Sequence, residues 1–201
     1  MDELKQKTGL TQWKNSYEVI IKWFKNIKEK KKCSFVILDV CEYYPNITKK
    51  LLNDALNWAS QIVKITDEEK KIMLSSKKSL LYKDGSAFRK KFGGDFDVTM
   101  GSYDGAETSD IVGLFLLSEV EHLDVKLGCF RDDWLGFSRM TARQTEIVKK
   151  KIQKIFEKHN LKIDIKVNKN VADFLVVTFD MKNEIFKSYQ TPRYVHTMSN
   201  H

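Results

Sequence analysis

Apolar residues recur along the chain at helical and strand intervals in turn. Over residues 12–32, Trp13, Tyr17, Ile20, Ile21, Phe24 and Ile27 are spaced for one helix face with lysines between them, which predicts an amphipathic helix. It ends in lysines that suit the negative end of the helix dipole. Ser34-Phe35-Val36-Ile37-Leu38 is short and almost wholly apolar and predicts a buried strand that delivers Asp39 at its end. The chain turns at Tyr43-Tyr44-Pro45, and Ile47, Leu51, Leu52, Ala55, Leu56 and Ala59 mark a second helix. Thr66 and Glu69 form a capping box that opens a third. Residues 88–105 are rich in glycine and aromatics (Phe92, Phe96) and predict loops or a hairpin, whereas residues 106–122 are apolar nearly all round and predict a central helix packed on a sheet. Residues 125–130 and 134–137 predict two short strands meeting at the charged turn Arg131-Asp132-Asp133. Thr141 and Gln144 form a second capping box, opening a surface helix with Ile147, Val148, Ile152, Ile155 and Phe156 inward. The remainder alternates with period two through Leu161, Ile163, Ile165 and Val167, then Val171 to Phe179, then Ile185, Phe186 and Tyr189, and predicts strands.

This order of elements points to an α+β fold: an antiparallel sheet of the split βαβ, ferredoxin-like kind, covered by helices on one face. Hydrophobic residues make up 42% of the 201 and charged residues 31%, enough for a packed core and too much charge for life in lipid. The apolar run Ile111 to Leu117 is far shorter than the roughly 20 residues that span a bilayer. The N-terminus lacks a secretory pattern, so an intracellular protein of cytoplasm or nucleus, without membrane contact, is expected. Cys33, Cys41 and Cys129 have neither disulfide parity nor metal-type spacing. The excess of 35 basic over 27 acidic residues gives +8, and it collects in runs at Lys28 to Lys32, Arg89 to Lys91 and Lys149 to Lys154. Such runs attract polyanions, chiefly nucleic acid, although any single run also suits a solvated helix face.

Asp39 ends one apolar strand, and Asp132 and Asp133 sit at the tip of a hairpin between two others. If those strands are neighbours, three carboxylates converge, and their repulsion is relieved by divalent cations, with Mg²⁺ the natural hard ion for carboxylates and phosphates. Two ions about 3.5–4 Å apart would clamp the attacking and leaving oxygens of a phosphoryl displacement. Spacing alone is equally met by a polar turn, with Asp39 capping the turn that follows.

Phe35-Val36-Ile37-Leu38-Asp39-Val40-Cys41-Glu42-Tyr43-Tyr44-Pro45-Asn46-Ile47 resembles the first palm motif of reverse transcriptases, and Phe130-Arg131-Asp132-Asp133 resembles their aromatic-x-Asp-Asp motif. Between them, Met100-Gly101-Ser102-Tyr103-Asp104-Gly105-Ala106-Glu107, with the helix that follows, resembles the loop and helix supporting template and incoming nucleotide. Leu161 to Lys169 resembles the family's helix-strand-lysine segment, and Val171-Ala172-Asp173-Phe174-Leu175 the hairpin that grips the primer. The likeness runs in order from about Phe35 to His201 and is near to retroelement-encoded enzymes of invertebrates. It implies an RNA-directed DNA polymerase that adds dNTPs to a primer on an RNA or DNA template, with two Mg²⁺ ions or Mn²⁺ in their place. It implies that Asp39 and Asp132 hold metal and Asp133 completes the cluster. By the same resemblance Tyr44 screens the sugar 2′ position, Lys169 assists the pyrophosphate leaving group, and Gly101, Gly105 and Ser109 shape the nucleotide-facing loop.

Two departures qualify the resemblance. Trp134 stands where the family has a small residue, so crowding of the turn beside the metals is expected. About 34 residues precede the first motif and no thumb follows, so the expected organisation is a helical fingers remnant at 1–33, a palm at 34–180 with a fingers-like insertion at about 60–100, and a strand leading toward a thumb at 181–201. The rest of the fingers and thumb are expected in a longer polyprotein. The alternatives are a non-catalytic remnant that binds nucleic acid, and a diguanylate-cyclase-like protein. The latter rests on Phe92-Gly93-Gly94-Asp95-Phe96-Asp97, where Phe96 replaces that family's glutamate and Asp132-Asp133 has no role.

Overall fold

The computed structural model describes residues 1–78, 81–88, 96–99 and 102–189. Gly101 and the Phe92 to Asp95 turn lie outside them, as do residues 190–201, where the connection to a thumb was expected. In chain order the elements are α1 (Asp2–Thr8), β1 (Thr11–Gln12), α2 (Ser16–Glu18), β2 (Ser34–Val40), α3 (Tyr43–Asn46), α4 (Lys49–Ser60), α5 (Asp67–Ser75), β3 (Leu81–Lys83) and β4 (Ser86–Phe88). They continue as α6 (Gly105–Val120), β5 (Lys126–Phe130), β6 (Asp133–Ser138), α7 (Ala142–Lys158), β7 (Ile163–Lys169), β8 (Val171–Phe174), β9 (Val177–Asp180) and β10 (Ile185–Ser188).

The main sheet has five strands in the order β1-β5-β6-β2-β7, and β8, β9 and β10 form a second sheet of three. Every pairing in both is antiparallel except β1 with β5, so the main sheet is mixed where a wholly antiparallel one was expected. Strand alternation divides the main sheet into two faces. Val36, Leu38 and Val40 of β2, Cys129, Trp134, Ile165 and Val167 pack with the apolar sides of α4, α6 and α7 in one core. Phe35, Leu135 and, partly buried, Ile37 and Phe137 point the other way, into a second core with Trp13, Val19, Phe24, Ile27 and the inner side chains of β8 and β9. Both capping boxes form as the sequence predicts, Thr66 with Glu69 at α5 and Thr141 with Gln144 at α7.

The single amphipathic helix expected over residues 12–32 is not what forms. Thr11 and Gln12 pair with Gly128 and Cys129 as an edge strand, α2 runs into a π-turn at Val19–Trp23, and 3₁₀ turns follow at Phe24–Asn26 and Lys30–Lys32. The reason is packing phase. The buried side chains are Trp13, Val19, Phe24 and Ile27, and Val19 and Phe24 are brought onto one side by a wide turn in which the Phe24 N–H reaches back to the Val19 carbonyl. Tyr17, expected to face the core, is exposed. Thr11 and Gln12 are thereby built into the sheet, Trp13, Val19, Phe24 and Ile27 into its second core, and Leu4 of α1 into the first.

Candidate functional site

Asp39 is the penultimate residue of β2 and lies in register with Asp133 of β6 on one side and Asp164 of β7 on the other. Since Phe35, Ile37 and Asp39 share a face, the apolar run of β2 ends in an exposed carboxylate on the side away from the three helices. Asp132 lies in the two-residue loop between the paired Phe130 and Asp133, and its carbonyl accepts a hydrogen bond from the Val40 N–H at 3.1 Å. The loop is tight enough to hold Arg131 at φ 56°, in the left-handed region. The structure thus brings together the three acids that the sequence singled out.

Trp134 does not crowd them. It follows Asp133 on β6 and so points through the sheet, where it is fully buried with its ring edge-on to Phe156. Its indole N–H donates to the Arg131 carbonyl at 3.2 Å, which braces the acidic turn from beneath. The expected distortion is therefore corrected: strand alternation, not side-chain size, decides what meets the acids.

Burial raises the Asp133 carboxyl to about 6, aided by the charges of Asp132 and Asp39. Asp39 is also raised, by burial and then by Asp132 and Asp164, with Lys166 acting in the opposite sense. Neither shift includes a hydrogen bond, and among the described residues Asp39, Asp132 and Asp133 have no ion-pair partner. All the donors are hard carboxylate oxygens with unmatched charge, a chemistry that fits a hard divalent cation. Among the described residues no three His, Cys, Asp or Glu side chains are gathered into a ready-made metal cage.

Tyr44 and Ser109, 65 residues apart, meet in the helix-side core: both are buried, with the two hydroxyls 3.3 Å apart. The Ser109 hydroxyl also donates to the Ala106 carbonyl at 2.8 Å, and the buried Tyr43 hydroxyl donates to the Ser109 carbonyl at 2.9 Å. α3 is in this way tied to the first turns of α6. Gly105 opens α6 where a Cβ would lie 2.7 Å from both the Thr99 carbonyl and the Ser102 hydroxyl, so only glycine fits the approach of the loop. Asp104 just before it is clamped by the buried Lys77. Burial alone would raise its carboxyl, but hydrogen bonds from Lys77 and Ser76 hold it below the usual range.

Lys169 is not brought to the acids. It pairs with Phe35, four residues back along β2 from Asp39 and so about 13 Å away at a rise of about 3.3 Å per residue. A bulge in β7, with Asn168 at φ 58°, shifts the register between Phe35 and Ile37. Lys166 and Asp164 are the β7 residues nearer the cluster, paired with each other at 3.2 Å. Sequence reasoning missed both, although their alternation with Ile163, Ile165 and Val167 showed which strand face they occupy. It also missed Gln12, whose side-chain amide donates to the carbonyl and carboxylate of Asp110 on α6 at 2.9 and 3.3 Å.

No family model and no curated protein matches the chain. Solved structures do. An apo telomerase from Candida tropicalis, truncated of its C-terminal domain, is 16% identical with a TM-score of 0.65, over 92% of this chain and 42% of that one. The RNA-dependent RNA polymerase of a human picobirnavirus is 15% identical with a TM-score of 0.60, over 88% of this chain and 35% of that one. The polymerase of the virus BmCPV at its elongation state is 9% identical with a TM-score of 0.61, over 94% and 19%. The chain therefore has the palm-like fold of nucleic-acid polymerases, and it spans less than half the length of each of these neighbours.

Proposed function

We propose that the chain is the palm of a retroelement-encoded RNA-directed DNA polymerase, which adds dNTPs to a primer 3′-hydroxyl on an RNA or DNA template. The observation that carries this reading is the register of β2 against β6, which sets Asp39 beside the Asp132-Asp133 turn in a fold shared with telomerase and viral RNA polymerases. A telomerase of the same fold is known in complex with a fragment of telomeric RNA, which supports nucleic acid as partner here.

Asp39 and Asp132 are the residues that would hold Mg²⁺, with Asp133 completing the anionic cluster. When bound, a pair of such ions supplies activation of the attacking hydroxyl and charge neutralisation at the triphosphate. The protein's part is placement. The Trp134 indole and the Val40 N–H fix the acidic turn from below, which limits the reorganisation needed when charge builds on the substrate. Tyr44 is held against Ser109 within the helix-side core, so in this reading it bears on the sugar 2′ position by fixing the turn after β2, and Gly105 lets the preceding loop lie close to the start of α6.

A non-catalytic nucleic-acid-binding reading is favoured by one observation, that the carboxylates are not drawn into a cage. Primer extension separates the two. On poly(rA)/oligo(dT) with Mg²⁺ or Mn²⁺, the chain extended at both ends is expected to incorporate dTTP, and Asp132→Asn with Asp133→Asn to abolish it. Silence of the extended, folded protein, with duplex binding retained, would leave the non-catalytic reading.

A further inference from the structure

Cations that the sequence scatters are gathered at the end of the main sheet remote from the acids. There Ser34 pairs with Ser138, the Lys30–Lys32 turn leads into β2, Arg139 follows β6, and Lys169 closes β7 opposite Phe35. Two long-range hydrogen bonds lock these segments together. The Arg139 guanidinium donates to the Lys28 carbonyl at 2.9 Å across 111 residues, and the Asn168 amide donates to the Ala142 carbonyl, at the start of α7, at 3.3 Å.

Within this group Lys32 pairs with Glu29, and Lys30 is committed to the carbonyls of Lys25 and Ile27 and the ring of Phe24. Lys28, Lys31, Arg143 and Lys169 are exposed and, among the described residues, have no ion-pair partner. The carboxylates of the same segments are Glu29 and Glu146. The result is one end of the sheet with unmatched negative charge and, about 13 Å along β2, another with unmatched positive charge.

We propose that this basic end binds the phosphate backbone of a nucleic-acid duplex at a point along the sheet separate from the acidic end. The proposal rests on the polymerase reading for the identity of the duplex and not for its turnover. The occupant follows from the array. A duplex carries about one charge per 1.7 Å of axis, so cations spread over three segments meet several phosphates at once. Of the exposed aromatic side chains, Tyr17, Phe88, Tyr103 and Tyr189 lie outside these segments, whereas Phe186 sits beside them, its ring 6.4 Å from that of Phe24, which carries the Lys30 ammonium. With one exposed ring, among the described residues, beside several unpaired cations, the surface suits backbone charge more than the run of stacked unpaired bases that a single-strand site holds.

The test is the salt dependence of binding to a labelled RNA–DNA duplex, read by fluorescence anisotropy in EDTA without dNTP. A triple variant, Lys28→Ala, Lys31→Ala and Arg143→Ala, is compared with a control of equal charge change, Lys49→Ala, Lys64→Ala and Lys71→Ala. The slope of log K against log salt changes by about 0.9 per phosphate contact. The first triple is expected to flatten it by about 2 to 3, the control by less than about 1. Equal effects, or none, would overturn the proposal. So would an unchanged duplex slope accompanied by lost retention of poly-glutamate, which would mark a surface for an acidic protein. Because no turnover is read, a failed primer extension leaves this result standing, and a failed slope test leaves primer extension standing.

Discussion

Asp133 and Trp134 are consecutive on β6 and face opposite ways, so the carboxyl meets Asp39 and Asp132 while the indole meets Phe156. The electrostatic consequence is measurable without any metal. A carboxyl held near 6 when folded and near 3.9 when unfolded binds its proton more tightly in the native state, so it stabilises the fold at low pH and that stability is lost as pH rises through 6. Asp133→Asn keeps the shape and removes the titration. In EDTA the variant is expected to match the wild type in urea denaturation at pH 4.5 and to exceed it at pH 7.5. Part of the shift is discounted because the group is only half-buried and solvent screens it, leaving a gain on the order of 1 kcal/mol. An unchanged difference between the two pH values would show that burial, with the neighbouring Asp132 and Asp39, does not raise the carboxyl as placed. The identity of these acids was legible in the sequence because an acid closing an apolar run is a local pattern and two such patterns stood in the order of a known motif set, whereas spacing alone was equally met by a polar turn. Asp164 was not legible, because its relation to Asp39 is one of register across two strands.

At the scale of elements, what the chain revealed beforehand was what its own neighbours decide. Thr66 and Thr141 cap their helices through residues three positions on, and the β5–β6 hairpin closes over a two-residue loop. What it hid was what distant packing decides, above all the segment from Thr11 to Lys32. There Trp13 lies over Gly128 of β5, held edge-on between Trp23 and Phe174, and this docking replaces a continuous helix with an edge strand and a π-turn. A Cβ on Gly128 would come 2.6 Å from the Trp13 ring, which has no room to withdraw. Gly128→Ala is expected to cost about 1–3 kcal/mol by overpacking. Gly113 in α6 is the internal contrast, since its Cβ would meet nothing nearer than 3.5 Å. Gly113→Ala is expected to be neutral or to stabilise by up to about 1 kcal/mol through helix propensity. Urea midpoints of the two variants check this, and equal destabilisation by both would mean that the Trp13 contact does not hold the N-terminal segment in place.

On the scale of the whole molecule, the same sheet carries two opposed charges at its two ends. The acids of β2 and β6 lie about 13 Å from the basic end, beyond the Debye length of about 8 Å at physiological salt, so each end responds to its own ligands. Among the described residues no helix is long and apolar enough to cross a membrane, and the net charge of +8 leaves the acidic end as a local exception. A divalent ion that binds only the folded acidic end stabilises the protein by mass action, by about 2.7 kcal/mol at a hundredfold excess over Kd. For a domain of this size that corresponds to a rise in Tm of several degrees. Mg²⁺ titrated into the wild type is expected to raise Tm, and the rise is expected to vanish in Asp132→Asn with Asp133→Asn. It is expected to survive unchanged in Lys28→Ala, Lys31→Ala and Arg143→Ala, because substitutions this far apart with no shared partner add independently. If the acid variant kept the full shift, the ion would be acting elsewhere on the chain. If the basic variant changed it at physiological salt, the two ends would be coupled, and the separation of metal site from duplex surface would fail.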